Sequence, residues 1–469
     1  MSMRIEKDSL GSLEVPAQAY YGVQTQRAVT NFPISGWPMP RRFIHAMGRI
    51  KRAAARTNAE LGLVETRLAD AIVTAATEVV EGKLDDQFPV DVFQTGSGTS
   101  TNMNTNEVIA SRANELLGGK RGDKAPVHPN DHVNLCQSSN DVIPTAIHVS
   151  VIEGIREELI PALEHLRGHL ARKAEAFDDI LKIGRTHLQD ATPVRLGQEF
   201  GGYAAQVEYA IARARRAVEV LRELPLGGTA VGTGLNAHPE FARRTITRLA
   251  QELGVELREA RNHFEAASAR DACVEASGCL RTIAVSLAKV ANDIRLLGSG
   301  PRCGIGEIRL PAVQPGSSIM PGKVNPVIAE SLVQVCLWVL GSDLMVVLGG
   351  MQSFYELNVA MPLIGAQMIE SVELLARGAR NFADACVAGI EADRVRCESL
   401  VEQSLAMCTP LAPVIGYDRA AEIAKIAYRE GKTVREVARE KSGLSEAQLA
   451  EIFHLRLLTE PGIRGKGGE

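Results

Sequence analysis

The sequence predicts a mainly α protein built from long, packed helices. Aromatic residues are only 4% of the 469 residues, whereas Ala, Leu, Glu and Arg, which favour helix over sheet, abound. Three segments, at about residues 144–177, 193–224 and 260–297, keep a helical periodicity beyond the ~25 residues at which a bundle is expected. A fourth, from Pro326, is apolar nearly all round, which predicts the centre of a bundle, and at this length a bundle shared between subunits.

Composition limits the class of protein. Lys and Arg (52) nearly balance Asp and Glu (56), and a net charge of −4 does not suggest nucleic acid or a lipid surface as a partner. The eight cysteines form no CxxC pair and no Cys/His cluster, which argues against a zinc site and a disulfide framework. The N-terminus has no apolar signal region, and no uninterrupted apolar run reaches ~18 residues. We expect a cytoplasmic protein whose anion sites are local.

Three domains are predicted along the chain. Residues 1–140 combine a turn-rich arm, a helical region and polar loops, and residues 141–394 carry the long helices. Residues 395–469 form a small helical domain, because shorter amphipathic segments begin there with Ser/Thr-x-x-Glu/Gln capping patterns at Thr433 and Ser445.

Three polar clusters stand directly before predicted helix starts. They are residues 138–140, residues 186–187 before Pro193, and residues 315–326. Ordinary capping explains any one of them, but all three, with a lysine and a histidine beside them, favour a binding site. Helix N-termini carry unsatisfied N–H groups and a partial positive charge, so their convergence would create an anion site without a basic patch. The ligand expected is a small polycarboxylate.

Residues 315–326 give the most specific signal, and we interpret them as a mobile catalytic loop. Pro and Gly make the stretch flexible, residues 316–318 can present successive N–H groups as an anion nest, and Lys323 supplies a cation. Ser317 has no histidine beside it in sequence. Its activation as a base would therefore depend on the positive local field, which favours the alkoxide.

Other polar stretches leave alternatives open. Residues 96–99 superficially resemble a phosphate loop, but they lack the Gly-Lys-Ser/Thr ending and a preceding strand, so they suit a carboxylate better. His187 is either a structural histidine or, in its polar turn, an imidazole free to titrate. Residues 128–131 form either a simple turn or part of a site.

At these residues the chain resembles the fumarase/aspartase superfamily. The signature Gly-Ser-Ser-x-Met-Pro-x-Lys-x-Asn is met in full by residues 316–325, and the likeness covers nearly the whole chain. It also includes residues 96–99, 137–141, 184–187 and 354–358. The resemblance implies a homotetramer with a twenty-helix core, active sites built from loops of three subunits, and no metal or organic cofactor.

The resemblance also implies roles for individual residues. Members remove a proton from the carbon beside a carboxylate and expel a group from the neighbouring carbon, giving fumarate or a fumaryl product. By motif, Ser317 resembles the general base, and His187 with Glu330 resembles the pair that handles water. The substrate-binding positions implied are Ser97, Thr99, Ser138, Ser139, Asn140, Thr186, Lys323 and Asn325, with His128, Asn130 and Asp131 similar to a secondary anion site.

The leaving group is harder to infer than the superfamily. Stretches similar to class II fumarases, at residues 95–99, 128–131, 137–141 and 416–418, largely surround the expected substrate. Stretches similar to aspartases are mostly remote from it; these are residues 19–23, 235–240, 325–327 and 461–466. We therefore predict reversible anti hydration of fumarate to L-malate, a reaction of the tricarboxylic acid cycle.

Two alternatives remain at this point. One is aspartate ammonia-lyase, and the other is a catalytically silent helical scaffold. The intact set of Ser317, Lys323, His187 and Asn140 disfavours the scaffold, because a binding protein has no need of a base.

Overall fold

A computed structural model describes residues 2–462 of the chain, so residues 463–466 of the aspartase-like tail lie outside the described residues. Helix accounts for 62% of the chain, which confirms the mainly α prediction. The helices are α1 Val23–Asn31, α2 Arg41–Glu60, α3 Thr66–Val80, α4 Thr99–Leu116, α5 Ser139–Gly154, α6 Ile160–Ala176, α7 Leu196–Leu221, α8 Phe241–Leu253, α9 His263–Ser268, α10 Asp271–Leu297, α11 Val327–Gly350, α12 Met361–Ala385, α13 Arg394–Gln403, α14 Ala412–Ile415, α15 Tyr417–Glu430, α16 Val434–Lys441 and α17 Glu446–Ile452.

Strands are short and pair two by two. In the part of the chain that the structure describes they are β1 Met3–Asp8, β2 Gly11–Pro16, β3 Leu181–Thr186, β4 Gln189–Arg195, β5 Glu223–Leu224, β6 Arg258–Glu259, β7 Ile308–Arg309, β8 Ser353–Phe354, β9 Leu357–Asn358 and β10 Glu391–Ala392. The pairs are β1–β2, β3–β4, β7–β10 and β8–β9, all antiparallel, and the parallel pair β5–β6.

The chain packs as two compact units. The first unit comprises Met1–Pro161, Ile211–Val285 and Val335–Arg377. The second unit comprises Ala162–Ala210, Ser286–Gln334 and Gly378–Glu469. The predicted division at residues 140 and 394 stays a prediction.

A buried carboxylate fixes the N-terminal arm in the first unit. The side chain of Glu107, on α4, accepts hydrogen bonds from the backbone N–H groups of Gly22, Gln24 and Thr25 and from the Thr25 hydroxyl, at 2.7–3.1 Å. These donors form the N-terminus of α1, where the helix dipole also favours a negative charge. Glu115, also on α4, accepts a hydrogen bond from the Tyr20 hydroxyl at 2.6 Å, so two side chains of α4 tie the turn-rich arm to this helix.

The first long helix begins earlier than its proline suggests. Ser138 caps α5 in a capping box with Asp141, so the helix starts at Ser139, and Pro144 lies inside it. A π turn, Ile155–Leu159, then joins α5 to α6, which ends at Ala176, close to the predicted end. The capping pair thus determines the start, although Pro144 prevents one intrahelical hydrogen bond.

The predicted helix start at Pro193 is wrong. Residues 189–195 form β4, which pairs with β3, and α7 begins only at Leu196. The strands meet at His187 and Leu188, both in the left-handed region with φ of 55° and 59°, which is the backbone of a tight hairpin turn. Proline is tolerated in β4 because a two-stranded sheet has only edge strands.

Two further sequence-based boundaries change in the structure. The segment predicted as one helix from residue 260 is divided, because α9 ends at Ser268 and α10 begins at Asp271. The region 87–140, which supplies the predicted polar loops, carries α4, an 18-residue helix. Its buried asparagines and threonines hide the amphipathic pattern on which the prediction relied.

The most apolar helix, α11, is covered on one side only. Leu332, Cys336 and Val339 are buried, whereas Leu337, Leu344 and Leu348 are 61%, 58% and 51% exposed. Among the described residues, α11 alone meets the length and composition of a membrane-crossing helix, a criterion that bundle-core helices also meet. Only 39% of its most apolar 18-residue segment is buried within the chain.

The C-terminal helices follow the local capping rules. Thr433 and Glu436 form a reciprocal capping box at α16, and Ser445 and Gln448 form another at α17, as the sequence patterns predict. Val437 and Leu449 from these helices belong to one buried apolar cluster.

Candidate active site

The loop before α4 in the first unit presents hydroxyl groups at the start of that helix. Gly98 adopts φ 74° at the N-cap of α4 and has no side chain to cap it, and Gln94 Oε1 accepts from the backbone N–H of Thr101 in the first turn at 3.0 Å. The Ser97 and Thr99 hydroxyls lie 2.9 Å apart. A Cβ at Gly96 would lie 2.1 Å from the Val359 carbonyl oxygen, so this backbone approach requires glycine. The N-terminus of the helix and the two hydroxyls suit a carboxylate ligand.

A second helix start in the same unit carries Ser138, Ser139 and Asn140. Ser138 caps α5, and its Oγ accepts a hydrogen bond from the Asn140 backbone N–H at 3.2 Å. The Ser139 Oγ accepts a hydrogen bond from Asn102 Nδ2 at 3.1 Å. The Asn140 side chain donates to the Ala230 carbonyl at 2.8 Å. The prediction of a helix N-terminus at this cluster is therefore confirmed.

A buried polar network supports this second helix start. Lys51 Nζ donates to the side-chain oxygens of Asn134 and Gln137, at 3.0 and 2.9 Å. The same Asn134 oxygen accepts from Asn102 Nδ2 at 3.2 Å, and Asn102 also donates to Ser139. Lys51, which is fully buried on α2, therefore determines the position of Ser139 through two bridging amides.

Burial sets the charge state of this network. Burial lowers the pKa of Lys51 to about 7, and the charge of Asp141 opposes that effect. Burial also raises the pKa of Asp141, against hydrogen bonds from the backbone N–H groups of Ser138, Gly227 and Thr229. Neutral or charged, Lys51 keeps the two donors that Asn134 and Gln137 require.

The predicted secondary anion site forms a turn beside a cavity. His128 Nδ1 accepts from the backbone N–H groups of Asn130 and Asp131 at 3.2 Å, so the turn interpretation also holds. A cavity of about 430 Å³ in the first unit adjoins it and is lined by Asp8, Ser9, Leu10, Gln24, Arg27, Met103, Glu107, Lys124, His128, Pro129 and Asn130. Anion binding there stays a prediction.

In the second unit, Thr186 and His187 lie on the exposed β3–β4 hairpin. They were predicted before a helix start, and this is wrong: they offer a hydroxyl and an imidazole but no helix N-terminus. Behind them, Arg185 binds Glu307 through two hydrogen bonds of 2.8 and 3.0 Å. Lys182 Nζ lies 3.2 Å from Glu307, whose side chain is fully buried. This buried ion cluster fixes the base of the hairpin.

The loop 315–326 is closed at its base. The Gly316 N–H donates to the Lys323 carbonyl at 2.7 Å, and Asn325 Nδ2 donates to the Gly316 carbonyl at 2.6 Å. Ser317 Oγ accepts from two backbone N–H groups, those of Ile319 and Met320, at 3.2 and 3.0 Å. Hydrogen bonds donated to an oxygen favour its deprotonated form, which supports the interpretation of Ser317 as a base.

Each unit thus assembles part of the predicted site. The second unit places Ser317, Lys323 and Asn325 in one loop and Glu330 in the first turn of α11. The described residues show no hydrogen bond or ion pair from His187 to Ser317, Lys323 or Glu330.

Sequence reasoning missed the residues behind the loops. Lys51 occupies a position of α2 where Met47, Ile50 and Ala54 are buried, and a charged residue on an apolar face is a usable signal. Asn102 and Asn106 repeat at a spacing of four on α4, which was a second signal. Glu307, by contrast, is distant in sequence from the Arg185 that it binds and gives no pattern.

Two family models and full-length relatives match the chain. A family model described as "Lyase" matches residues 11–341, and one described as "Fumarase C C-terminus" matches residues 407–460. "Fumarate hydratase class II" of Halobacterium salinarum is 56% identical over 460 residues, covering 98% of each chain. The protein of that name from Nitrosomonas europaea is 55% identical over 93% of this chain and 94% of its own.

Solved structures are similar over almost the whole chain. The class II fumarase of Schistosoma mansoni has a TM-score of 0.95 at 42% identity, covering 98% of this chain and 100% of that one. A structure titled fumarate lyase:delta crystallin from Brucella melitensis, bound to cobalt, has a TM-score of 0.94 at 47% identity with the same coverage.

The lowered pKa of Lys51 predicts how stability depends on pH. Between the folded value of about 7 and the ordinary value of 10.5, the unfolded chain holds a proton on Lys51 that the folded chain lacks. The free energy of unfolding of the wild type, relative to that of Lys51→Met, should therefore rise with pH over this range. Urea unfolding from pH 7 to 9.5, at one protein concentration, measures this difference.

A matched control is Lys83→Met, because Lys83 is exposed and its ion pair with Glu81 raises its pKa. A raised pKa contributes stability that is lost only as the pH rises through it. The difference in free energy of unfolding between the wild type and Lys83→Met should therefore not grow between pH 7 and 9.5. A pH-independent difference for Lys51→Met would contradict a lowered pKa.

Proposed function

The chain belongs to the class II fumarate hydratase family of lyases. From that premise we propose how its residues interconvert fumarate and L-malate. The reversible hydration of fumarate, a reaction of the tricarboxylic acid cycle, is its function. The sequence-based preference over aspartate ammonia-lyase and over a silent scaffold is confirmed by the full-length relatives. The observation that supports the mechanism best is the closed loop 315–326, in which backbone donors meet Ser317 Oγ.

Ser317 is the base in this proposal. In the direction from malate to fumarate, its alkoxide takes a proton from the carbon beside one carboxylate, and that carboxylate becomes an aci-carboxylate with an additional negative charge. The charge is viable only beside preorganised donors and cations, which Lys323 and the helix starts of α4 and α5 supply. The hydroxyl group then leaves from the neighbouring carbon and departs as water after protonation.

The carboxylates are bound by the two polar helix starts and by the loop. Ser97 and Thr99 share one hydroxyl–hydroxyl hydrogen bond, so one of the two protons is free for a ligand. Ser138, Ser139 and Asn140 add short polar groups at the start of α5, and Lys323 and Asn325 add a cation and an amide. Because substrate closes a mobile loop over the site, the loop would also exclude water.

His187 and Glu330 handle water in this proposal. His187 is exposed at the hairpin tip, and Glu330 lies partly buried at the start of α11. A carboxylate that accepts a hydrogen bond from one imidazole nitrogen orients the other nitrogen toward water. Since the two residues are not paired within the chain, we place their contact between subunits.

The assembly is a homotetramer in this proposal. Exposed Leu337, Leu344 and Leu348 follow one another at spacings of seven and four residues, which puts them in one apolar stripe on α11. Such a stripe requires a partner, and the twenty-helix core expected from the resemblance provides one. The assembly would bring polar loops of different chains together. A cytoplasmic location stays a prediction.

Purified protein should form malate from fumarate without ammonium. The chain is given fumarate with and without ammonium, fumarate is followed by ultraviolet absorbance, and the product is identified by NMR. We expect malate in both samples and no aspartate. Formation of aspartate only with ammonium would identify an ammonia-lyase, and no turnover would favour a scaffold.

Ser317→Ala should lower kcat by about 10²–10⁴-fold, the contribution typical of general acid–base catalysis. Dicarboxylate binding and oligomeric state should change little, because the hydroxyl accepts hydrogen bonds only within its own loop. Steady-state kinetics and calorimetry with a dicarboxylate inhibitor measure both. Ser318→Ala is the matched control, and its kcat should decrease much less. Near-normal turnover in Ser317→Ala would remove Ser317 from the role of base.

Leu344→Arg should dissociate the tetramer and abolish hydration, because it places a charge in the apolar stripe of α11. Sedimentation velocity reports the oligomeric state, and circular dichroism should show retained helix. Val395→Arg is the control, since Val395 is 78% exposed on α13, outside the long helices. An active tetramer containing Leu344→Arg would contradict the stripe as a subunit interface.

A further inference from the structure

Two histidines and an aspartate converge in the second unit, in a cluster that the hydration reaction does not use. His165 and His169 are four residues apart on α6, so both imidazoles lie on one face of the helix. Asp384 comes from α12, and its Oδ1 lies 2.6 Å from His165 Nε2. One potential ligand atom from each of the three residues lies within 4.8 Å of the others.

The donor set and its spacing fit a transition-metal ion. Zn²⁺ binds imidazole nitrogen and carboxylate oxygen at about 2.0–2.2 Å, which for a tetrahedral site puts the ligand atoms about 3.4 Å apart. The three side chains are partly or largely exposed and are free to close the remaining gap by small rotations. We propose that His165, His169 and Asp384 bind one divalent ion of the Zn²⁺ class, with water in the fourth position.

The third ligand distinguishes this cluster from the other histidine–carboxylate pairs. His45 lies 3.1 Å from Asp85 and His263 lies 3.0 Å from Glu259, and neither pair belongs to a group of three potential ligands. In the described part of the chain, only the cluster on α6 and α12 brings ligand atoms of three such residues within 4.8 Å of one another. Two imidazoles on one helix face with a carboxylate from another helix is a ligand set used in zinc sites.

Burial and neighbouring charges act on His169 and Asp384. Burial, and after it the nearby Arg172 and His165, lower the pKa of His169, against the charge of Asp384. The hydrogen bond with His165 lowers the pKa of Asp384, and Arg380 acts in the same direction. Basic side chains thus lie close to two of the three groups.

The same cations oppose a bound ion, but weakly. Arg172, Lys173 and Arg380 are the basic groups that act on the cluster, and Glu391 is an acidic group near Lys173. Lys173 Nζ donates to the Ile390 carbonyl, so its hydrogen bond is directed away from the cluster. Repulsion through solvent is screened over about 8 Å at physiological ionic strength, whereas the metal–ligand bonds are direct.

Binding would replace one hydrogen bond by a bridge between two helices. The His165 Nε2 proton that faces Asp384 must leave this nitrogen. A neutral ring then carries its proton on Nδ1, and a protonated ring releases one proton to solvent. The ion would join α6 to α12 within the second unit. Because it binds the folded chain only, it should raise the thermal midpoint as its concentration increases.

The test uses tag-free protein, treated with a chelator and then titrated with Co²⁺ and with Zn²⁺. We expect one ion per chain by calorimetry, visible Co²⁺ absorption typical of low coordination number, and a rising thermal midpoint. His169→Gln and Asp384→Asn should each weaken binding by at least about tenfold, since loss of a residue that only supports a ligand already has that effect. Fumarate hydration should be unchanged in both.

His45→Gln is the matched control, because it removes a histidine from a carboxylate pair that lacks a third ligand. It should leave the affinity for Co²⁺ unchanged. The thermal midpoints without metal show whether each variant is folded. No binding of Co²⁺ at millimolar concentration, or unaltered binding in folded His169→Gln, would overturn the proposal.

Discussion

The hydrogen bonds from Lys51 Nζ to the side-chain oxygens of Asn134 and Gln137 are the interaction on which the first unit's polar loops depend. A loop that binds a carboxylate must present hydroxyl and N–H groups, yet its underside faces an apolar core. Groups buried there need internal partners, because each unpaired one costs about 1–3 kcal/mol. Lys51 and the asparagine on α4 supply those partners and keep Ser139 in one position.

In the second unit, buried ion pairs support the polar hairpin. Glu307 is fully buried between Lys182 and Arg185, and removing one member of such a cluster leaves an uncompensated charge. The hairpin that carries His187 is therefore rigid at its base and exposed at its tip. The loop containing Ser317 is closed at its base by two hydrogen bonds, and its residues 318–324 are exposed. We expect this loop to open and close around the substrate, as catalytic loops commonly do.

Features encoded locally could be predicted from the sequence, and features encoded by distant contacts could not. The capping boxes at Thr433 and Ser445 follow from residues three apart, and the Ser317 loop follows from a contiguous motif. The β3–β4 hairpin was missed because Thr192-Pro193 is equally typical of a helix start, and its turn lacks the usual Asn or Gly. Lys51 is separated from its partners by 83 and 86 residues, and His165 from Asp384 by 219, so no periodicity reports these contacts.

The hairpin turn has a consequence for the residue at its tip. His187 and Leu188 adopt a left-handed backbone conformation, which costs about 1–2 kcal/mol for each residue that is not glycine. Asn and Gly relieve this strain, whereas a β-branched residue increases it. Substitution by Val or Thr would therefore alter the turn as well as remove the imidazole, and only Asn or Gly at position 187 isolates the chemistry of the ring from the geometry of its support.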